Sequence, residues 1–363
     1  MVCDGSLSRV CHRPHSALTA SNMTTKSAAC LALACSALLL GGCYPLHASF
    51  GHLELMSRRQ PFAEITADPT VADDLKTRLQ HVNAMREFAV RELALPDNGS
   101  YRNYAPLDRD YPLWNVWVTP EFDLKPRQSC FPIVGCVPYR GYYSRELADS
   151  YAAGFSGAGD DVAVLGALAY STLGFFDDPV TSAMLRLSDE RLAGLIFHEL
   201  AHQVVYVRDN ATFNESFARA VEIEGTLRWL ESENDETGLA RYRAALERSE
   251  VFYSDVKAAR AALARLYALD ISEAQKREKK NDILNSMLAA HRQRKVRDGA
   301  WSAYDPWFAG GLNNAKLAAV ATYFDDVEMF RSLLRKLGGD FGAFYKAVKS
   351  RAAQTKNMEP ATD

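Results

Sequence analysis

Apolar residues recur at helical spacing over most of this chain, and in one short region they alternate instead. Between Val71 and Leu95 the apolar positions Leu75, Leu79, Val82, Met85, Val90 and Leu93 share one helical face, which predicts a long amphipathic helix. Pro96-Asp97-Asn98-Gly99 ends it. The period then drops to two. Trp114 to Val118 alternates and is rich in β-formers, so it predicts a strand. Phe131 to Tyr139 and Arg140 to Ser144 read as further short strands or a hairpin, with prolines confining parts of them to edges. A helix over Arg145–Ala153 and a strand over Asp161–Leu168 follow.

From Ser188 onward the pattern is helical almost to the end. It predicts helices over Arg191–Val207 and Asn214–Leu230, then a solvated, charged helical pair within 231–300. A further helix spans Leu312–Leu337, capped by Asn313 or Asn314. A few short strands followed by many helices give an α+β fold, predominantly helical, with a small mixed sheet. Residues 44–69 read as a tether, 70–350 as one domain that includes the charged pair, and 351–363 as a disordered tail. Nothing repeats at a fixed period.

Candidate chemistry stands in the predicted helix Arg191–Val207, as His198-Glu199-Leu200-Ala201-His202. Histidines at i and i+4 lie one turn apart on one face, so two imidazole nitrogens can reach one zinc ion. Glu199 is turned about 100° away and cannot easily be a third ligand. It can instead accept a proton from a water at an open coordination position. The segment Thr212-Phe213-Asn214-Glu215 begins the next helix, and Glu215 lies 13 positions after His202. A carboxylate there can return to the metal and complete a two-nitrogen, one-oxygen set with one position open. The plainer alternative makes Thr212 and Glu215 a capping box. Glu222, seven residues on, is the reserve ligand, and Asp209 a weaker one. Asn214 either caps the helix or positions a substrate backbone.

The N-terminus carries an address. Ser27 to Gly42 has no charge and is too short to span a bilayer comfortably, so it matches the apolar core of a secretory signal. Leu40-Gly41-Gly42-Cys43 resembles a bacterial lipobox, which implies cleavage before Cys43, acylation of Cys43 and attachment to a membrane. Met1 or Met23 is the start. Tyr44, in the place of an aspartate, favours the outer membrane facing the periplasm. Of seven cysteines only Cys130 and Cys136 lie beyond Cys43, and an even pair in an oxidising compartment reads as a disulfide. Net charge is −3 and no basic stripe is present, which speaks against nucleic acid as a partner.

Several segments together look like one family. Asn-Glu-x-x-Ala at Asn214–Ala218 resembles the third-ligand motif of the gluzincins, zinc peptidases with two histidines and a glutamate. Cys136–Ser144, Ala169–Gly174 before Asp178-Pro179, the histidine motif, Phe213–Ala218 and Leu312–Leu317 with Tyr323 resemble the zinc-dependent aminopeptidase family of proteobacterial lipoproteins. The resemblance implies a zincin-like fold, with the small sheet next to the metal-binding helices. It implies Zn2+ held by His198, His202 and Glu215, and Glu199 as general base. In that fold an edge strand binds substrate as an added strand, which nominates Tyr139–Ser144, with Tyr142 and Tyr143 toward substrate or in the core. Tyr323, ranked ahead of Tyr142 and Tyr143, is either an oxyanion donor or, the plainer alternative, a core side chain. The segment that holds the free amino group in well-studied gluzincin aminopeptidases is missing. An envelope endopeptidase and a non-catalytic zinc-binding lipoprotein scaffold therefore stand beside the aminopeptidase reading.

Overall fold

The computed structural model describes residues 43–358 except Ile133 and Tyr170. The expected signal segment 1–42 and the last five residues lie outside them, as does the side chain of Cys43. The chain divides into two units, residues 1–49 and 50–363, and the second holds the sheets and the main core.

The fold is α+β and mostly helical, with three small sheets. Strands β1 (Gln60–Pro61), β2 (Asn103–Ala105) and β8 (Val180–Thr181) form one sheet, antiparallel at β1–β2 and parallel at β2–β8. Strands β3 (Leu113–Thr119), β6 (Arg140–Tyr142) and β7 (Asp161–Ala167) form a second, antiparallel throughout, in the order β6-β3-β7. Strands β4 (Ser129–Phe131) and β5 (Gly135–Val137) make a hairpin closed by a Cys130–Cys136 disulfide.

The helix read over Val71–Leu95 runs Asp73–Leu93 and stops where Ala94 turns left-handed. It packs Leu79, Val82, Met85 and Phe88 into the main core. The "histidine helix" Asp189–His202 and the "carboxylate helix" Ala211–Ser232 lie at the centre of that core. Gly194 and Gly225 let them approach closely. A Cβ on Gly194 would meet Thr226 Oγ1 at 2.9 Å and Glu222 Cγ at 3.1 Å. One on Gly225 would meet Phe197 Cδ2 of the histidine helix at 3.0 Å, and Leu93 Cδ1 of the helix Asp73–Leu93 at 2.7 Å.

The charged pair is two long helices, Glu236–Tyr267 and Glu273–Arg297. It has its own apolar seam, including Phe252, Val256, Leu263, Leu284 and Met287, so it is more than a solvated face. A polar node ties it to the β3-β6-β7 sheet. Lys280, almost fully buried, donates to Asp161 at 2.6 Å and to the Glu121 carbonyl at 2.9 Å. Asn314 donates its backbone N–H to Asp161 at 2.7 Å and its amide to the Glu121 carbonyl at 2.9 Å. Tyr267 donates to the Asn314 side chain at 3.0 Å.

Four expectations need correction. Residues 50–69 are not a tether: Leu55, Phe62 and Ile65 are buried, because their apolar side chains complete the helical core. The histidine helix ends at His202, five residues early, where Gln203 caps it. Leu312–Leu337 is two helices, Asn314–Thr322 and Val327–Lys336, with Asn313 capping the first. The break lets Asp326 N–H bond Ser216 Oγ at 3.2 Å while Val327 and Phe330 enter the core. The helix Phe341–Met358, anchored by the buried Phe344 and Val348, runs on into the segment expected to be a disordered tail, where Ala352 still packs against the core.

Replacing Lys280 with Met strands the Asp161 carboxylate in a nearly dry site. Chemical denaturation of Lys280→Met is expected to show a loss of about 3–5 kcal/mol, largely recovered when Asp161→Asn is added. A single-variant loss under about 1 kcal/mol would show that the node is a surface ion pair.

Candidate metal centre

The histidine helix starts with Asp189 and Glu190 in its first turn, where the helix dipole favours negative charge. Leu192, Ile196 and Phe197 fix its orientation by burial. His198 and His202 emerge on one face, both 7 % exposed, with ring centroids 4.8 Å apart. Its end is held by Gln203, which accepts from Asn98 at 2.7 Å and donates to Ser100 Oγ at 3.2 Å. The buried Arg86 braces that loop, donating to the Ser100 carbonyl at 3.0 Å.

The carboxylate helix is capped by Asn210, whose side chain accepts from Phe213 N–H at 3.0 Å, so Thr212 and Glu215 form no capping box. Glu215, Arg219 and Glu222 recur at i, i+4 and i+7 and share a face. That face meets the histidines. His198 Nε2 lies 3.2 Å from Glu215 Oε2 and 3.2 Å from His202 Nε2. His202 Nε2 lies 3.7 Å from the same Glu215 oxygen. Ligand atoms around a tetrahedral zinc ion, each at about 2.0–2.1 Å from it, are about 3.3 Å apart. The three atoms thus have the separation that one small cation requires.

Glu222 is no ligand. Its Oε2 meets His198 Nδ1 at 3.1 Å, and its other oxygen accepts from Arg219. That contact places the Nδ1 proton and turns the Nε2 lone pair inward, the role of a carboxylate behind a metal-binding histidine. Three electron-rich atoms then face each other and need a positive charge among them. Burial pulls His198 down, but Glu215 and Glu222 reverse this and hold it at about 10. Burial pushes Glu215 up, and His202 and His198 overcome it to hold Glu215 at about 2. A proton or a metal ion satisfies the same cluster, and two nitrogens with one carboxylate are a donor set for zinc.

Glu199 is half-buried beside this cluster. Burial raises its pKa, His198 and His202 lower it, and Glu215 and Glu222 raise it again. Tyr323 caps the helix Asn314–Thr322, its ring centroid 6.4 Å from that of His198. The Glu215 charge first, then burial, drives its pKa well up, so its hydroxyl keeps its proton.

The proposed substrate contacts fare differently. Asn214 is buried and clamps the turn before its own helix, accepting from Val207 N–H and donating to the Val207 carbonyl, both at 2.7 Å. Buried and committed to this clamp, it is not placed to hold a substrate backbone. Strand β6 is an edge strand, as expected for Tyr139–Ser144. Tyr142, however, is buried with its ring 5.5 Å from Tyr151, and Tyr143 lies against Gly51, so both pack rather than face a cleft. Asp209 accepts from Cys136 N–H at 2.6 Å and is not a ligand.

Two residues beside Glu199 escaped sequence reasoning. Asp178 is fully buried, accepts from Thr172 N–H at 2.8 Å, and has its Oδ1 without a partner. Tyr101, also fully buried, donates its N–H to the Asp178 carbonyl at 2.6 Å from a left-handed backbone, φ 61°. Burial first, and then the Glu199 charge, raises the pKa of both. No local spacing announces this pair, because it joins loops 77 positions apart. Glu222 did have a signal, the i, i+4, i+7 run with Arg219.

Burial, opposed by the Thr172 hydrogen bonds and aided by the Glu199 charge, pushes Asp178 up to about 7 from 3.8. The folded state therefore binds this proton more tightly than the unfolded chain. Its stabilising effect is full below about pH 4 and is lost as pH rises through about 7. The melting temperature of Asp178→Asn minus that of wild type should thus rise between about pH 4 and pH 8. A flat difference across that window would mean that Asp178 titrates as an ordinary carboxylate.

The comparisons with known proteins add one match. The model of a family described as "Putative aminopeptidase" matches residues 43–362. No curated protein and no solved structure matches the chain.

Proposed function

Because the chain belongs to this aminopeptidase family, we propose that it is a zinc-dependent peptide hydrolase working as an aminopeptidase. One observation carries the reading: His198 Nε2, His202 Nε2 and Glu215 Oε2 converge at zinc-ligand separations beside Glu199. A zinc ion held there would polarise a peptide carbonyl and acidify a water molecule. Glu199 takes the proton of the attacking water at its carboxylate and returns it to the leaving amine. Glu222 keeps His198 in one tautomer and orientation through Nδ1. Tyr323, kept neutral, donates its hydroxyl proton toward the developing oxyanion.

Location belongs to the same proposal. The uncharged run Ser27–Gly42 and Leu-Gly-Gly before Cys43 support a lipid anchor at Cys43, on the periplasmic face of a bacterial outer membrane. Among the described residues no helix is long and apolar enough to cross a membrane. In a Gram-negative host fed labelled palmitate, the wild type is expected to carry label and Cys43→Ala to carry none. Label retained by that variant would remove the anchor.

The enzymatic reading is tested by zinc content and peptide hydrolysis on the same preparations. Wild type should hold one zinc per chain and cleave peptides with free N-termini, while acetylated peptides resist. Glu199→Gln should keep the metal and lose roughly 100-fold or more in kcat/KM. Glu215→Ala should lose most of its zinc. Full hydrolysis by Glu199→Gln would eliminate the general-base role, and cleavage of acetylated peptides would make the enzyme an endopeptidase. A wild type with no zinc would favour the scaffold.

A further inference from the structure

Large apolar side chains stand exposed together where the chain enters the second unit. That unit begins at Phe50, within the helix Cys43–Ser57. Phe50 and Leu53, three positions apart on one face, are 68 % and 61 % exposed. Leu55 is fully buried and turned about 160° from Leu53, so the helix packs by one side and shows the other to solvent. Beside this helix stand Phe175 and Phe176, 65 % and 54 % exposed, with the Phe176 ring 4.7 Å from that of His52. Around the helix Leu53 comes between Phe50 and His52, so the apolar positions adjoin.

A slack loop is not the reason for this exposure. Phe175 N–H donates to the Thr172 carbonyl at 3.1 Å, and Phe176 N–H to Thr172 Oγ1 at 3.0 Å. Thr172 Oγ1 donates in turn to the Phe176 carbonyl at 3.1 Å. Arg59, at the end of the Phe50–Leu53 segment, ties the turn down by donating to the Asp177 carbonyl at 2.9 Å. The backbone is thus fixed with both rings outward. The other exposed large apolar residues of this unit, Leu147, Val251, Leu269 and Val296, each come from a separate stretch of chain. Scattered apolar residues are ordinary on a protein surface, whereas a cluster held outward marks an interaction face.

We propose that this face rests on a lipid bilayer, with Phe50, Leu53, Phe175 and Phe176 entering the boundary between headgroups and acyl chains. The proposal rests on the reading of Cys43 as a lipid anchor and goes beyond it. Cys43 is seven positions before Phe50, a span of at most about 25 Å however those residues run. An acylated Cys43 therefore keeps the face within reach of the membrane. Tethering makes the contact intramolecular, so a face too small to hold a free protein on lipid suffices for an anchored one. Docking would also set the metal centre against the bilayer surface. A Cβ on Gly174, next to Phe175, would meet Oε1 of Gln203, which caps the histidine helix, at 3.4 Å.

The test uses the full mature chain in vesicles of phosphatidylethanolamine and phosphatidylglycerol. Beyond Cys43 the only cysteines are the disulfide pair Cys130 and Cys136, so an added cysteine is the single free thiol of the acylated protein. Phe50→Cys, Phe175→Cys and Val296→Cys each replace an exposed side chain and take an environment-sensitive fluorophore. Probes at 50 and 175 should shift to shorter wavelength on vesicles and lose about twofold or more of their intensity to doxyl-labelled lipid, while the probe at 296 stays aqueous. Aqueous probes at 50 and 175 on an acylated, vesicle-bound chain would overturn the face and leave the anchor. Equal shifts at all three positions would mean general adsorption and would also overturn it. So would a shift without lipid that grows with protein concentration, which would give the face to a second copy. The mass of the parent chain reads the anchor separately. If it carries no acyl group and the probes still shift beyond the parent's own signal, the face stands and the anchor falls. If they do not shift either, both fall.

Discussion

Two imidazoles and the carboxylates of Glu215 and Glu222 share one nearly dry space, with Glu199 at its side. Charges of one sign cannot be buried together unless positive charge lies among them. Arg219 supplies part of it, on one oxygen of Glu222. The rest must sit between His198, His202 and Glu215, as a proton or as a cation. Much of the surrounding fold follows from holding those three atoms 3.2–3.7 Å apart. Gly194 and Gly225 bring the helices close enough. The Asn214 clamp fixes how far the carboxylate helix starts from the end of the histidine helix. An apolar belt that includes Leu192, Ile196, Phe197, Phe217 and Val221 resists any sliding of one helix on the other.

The same logic extends outward. The node of Lys280, Asp161, Asn314 and Tyr267 sets the start of the helix Asn314–Thr322, and that helix ends on Tyr323. A polar contact far from the metal site thereby determines where a phenol stands relative to His198. Arg86 acts similarly from the other side, through the loop that carries Asn98 and Ser100 to Gln203. The strained Tyr101 belongs to that loop too, and it persists because the Asp178 carbonyl and full burial hold it.

Where sequence reasoning missed, tertiary contacts overrode a local signal. The period-3.6 run through Leu312–Leu337 is continuous, yet the helix breaks because Ser216 offers Asp326 N–H a better partner and the core offers Phe330 a place. Thr212 and Glu215 have the spacing of a capping box, but Asn210 takes the cap and releases Glu215 for the histidines. Asn214 has the chemistry to hold a substrate backbone and instead holds its own. Tyr142 and Tyr143 lie in or beside an edge strand as expected; Tyr142 packs inward against Tyr151, and Tyr143 lies half-buried against Gly51.

By itself the sequence determined the helix-rich α+β character, the two helices that carry the site, and the set His198, His202 and Glu215. The helices and the histidine pair follow from i, i+3 and i+4 geometry, which the chain carries locally, whereas Glu215, 13 positions after His202, is nominated by the motif that opens the next helix and its resemblance to the gluzincins. It also paired Cys130 with Cys136, since no other cysteine lies beyond Cys43. Only the tertiary structure decided that Glu222 stands behind His198 and that Asp178 and Tyr101 sit beside Glu199. Each of these joins segments from 21 to 98 positions apart. Such pairings depend on packing of whole elements, for which no local period or spacing in the chain is a guide.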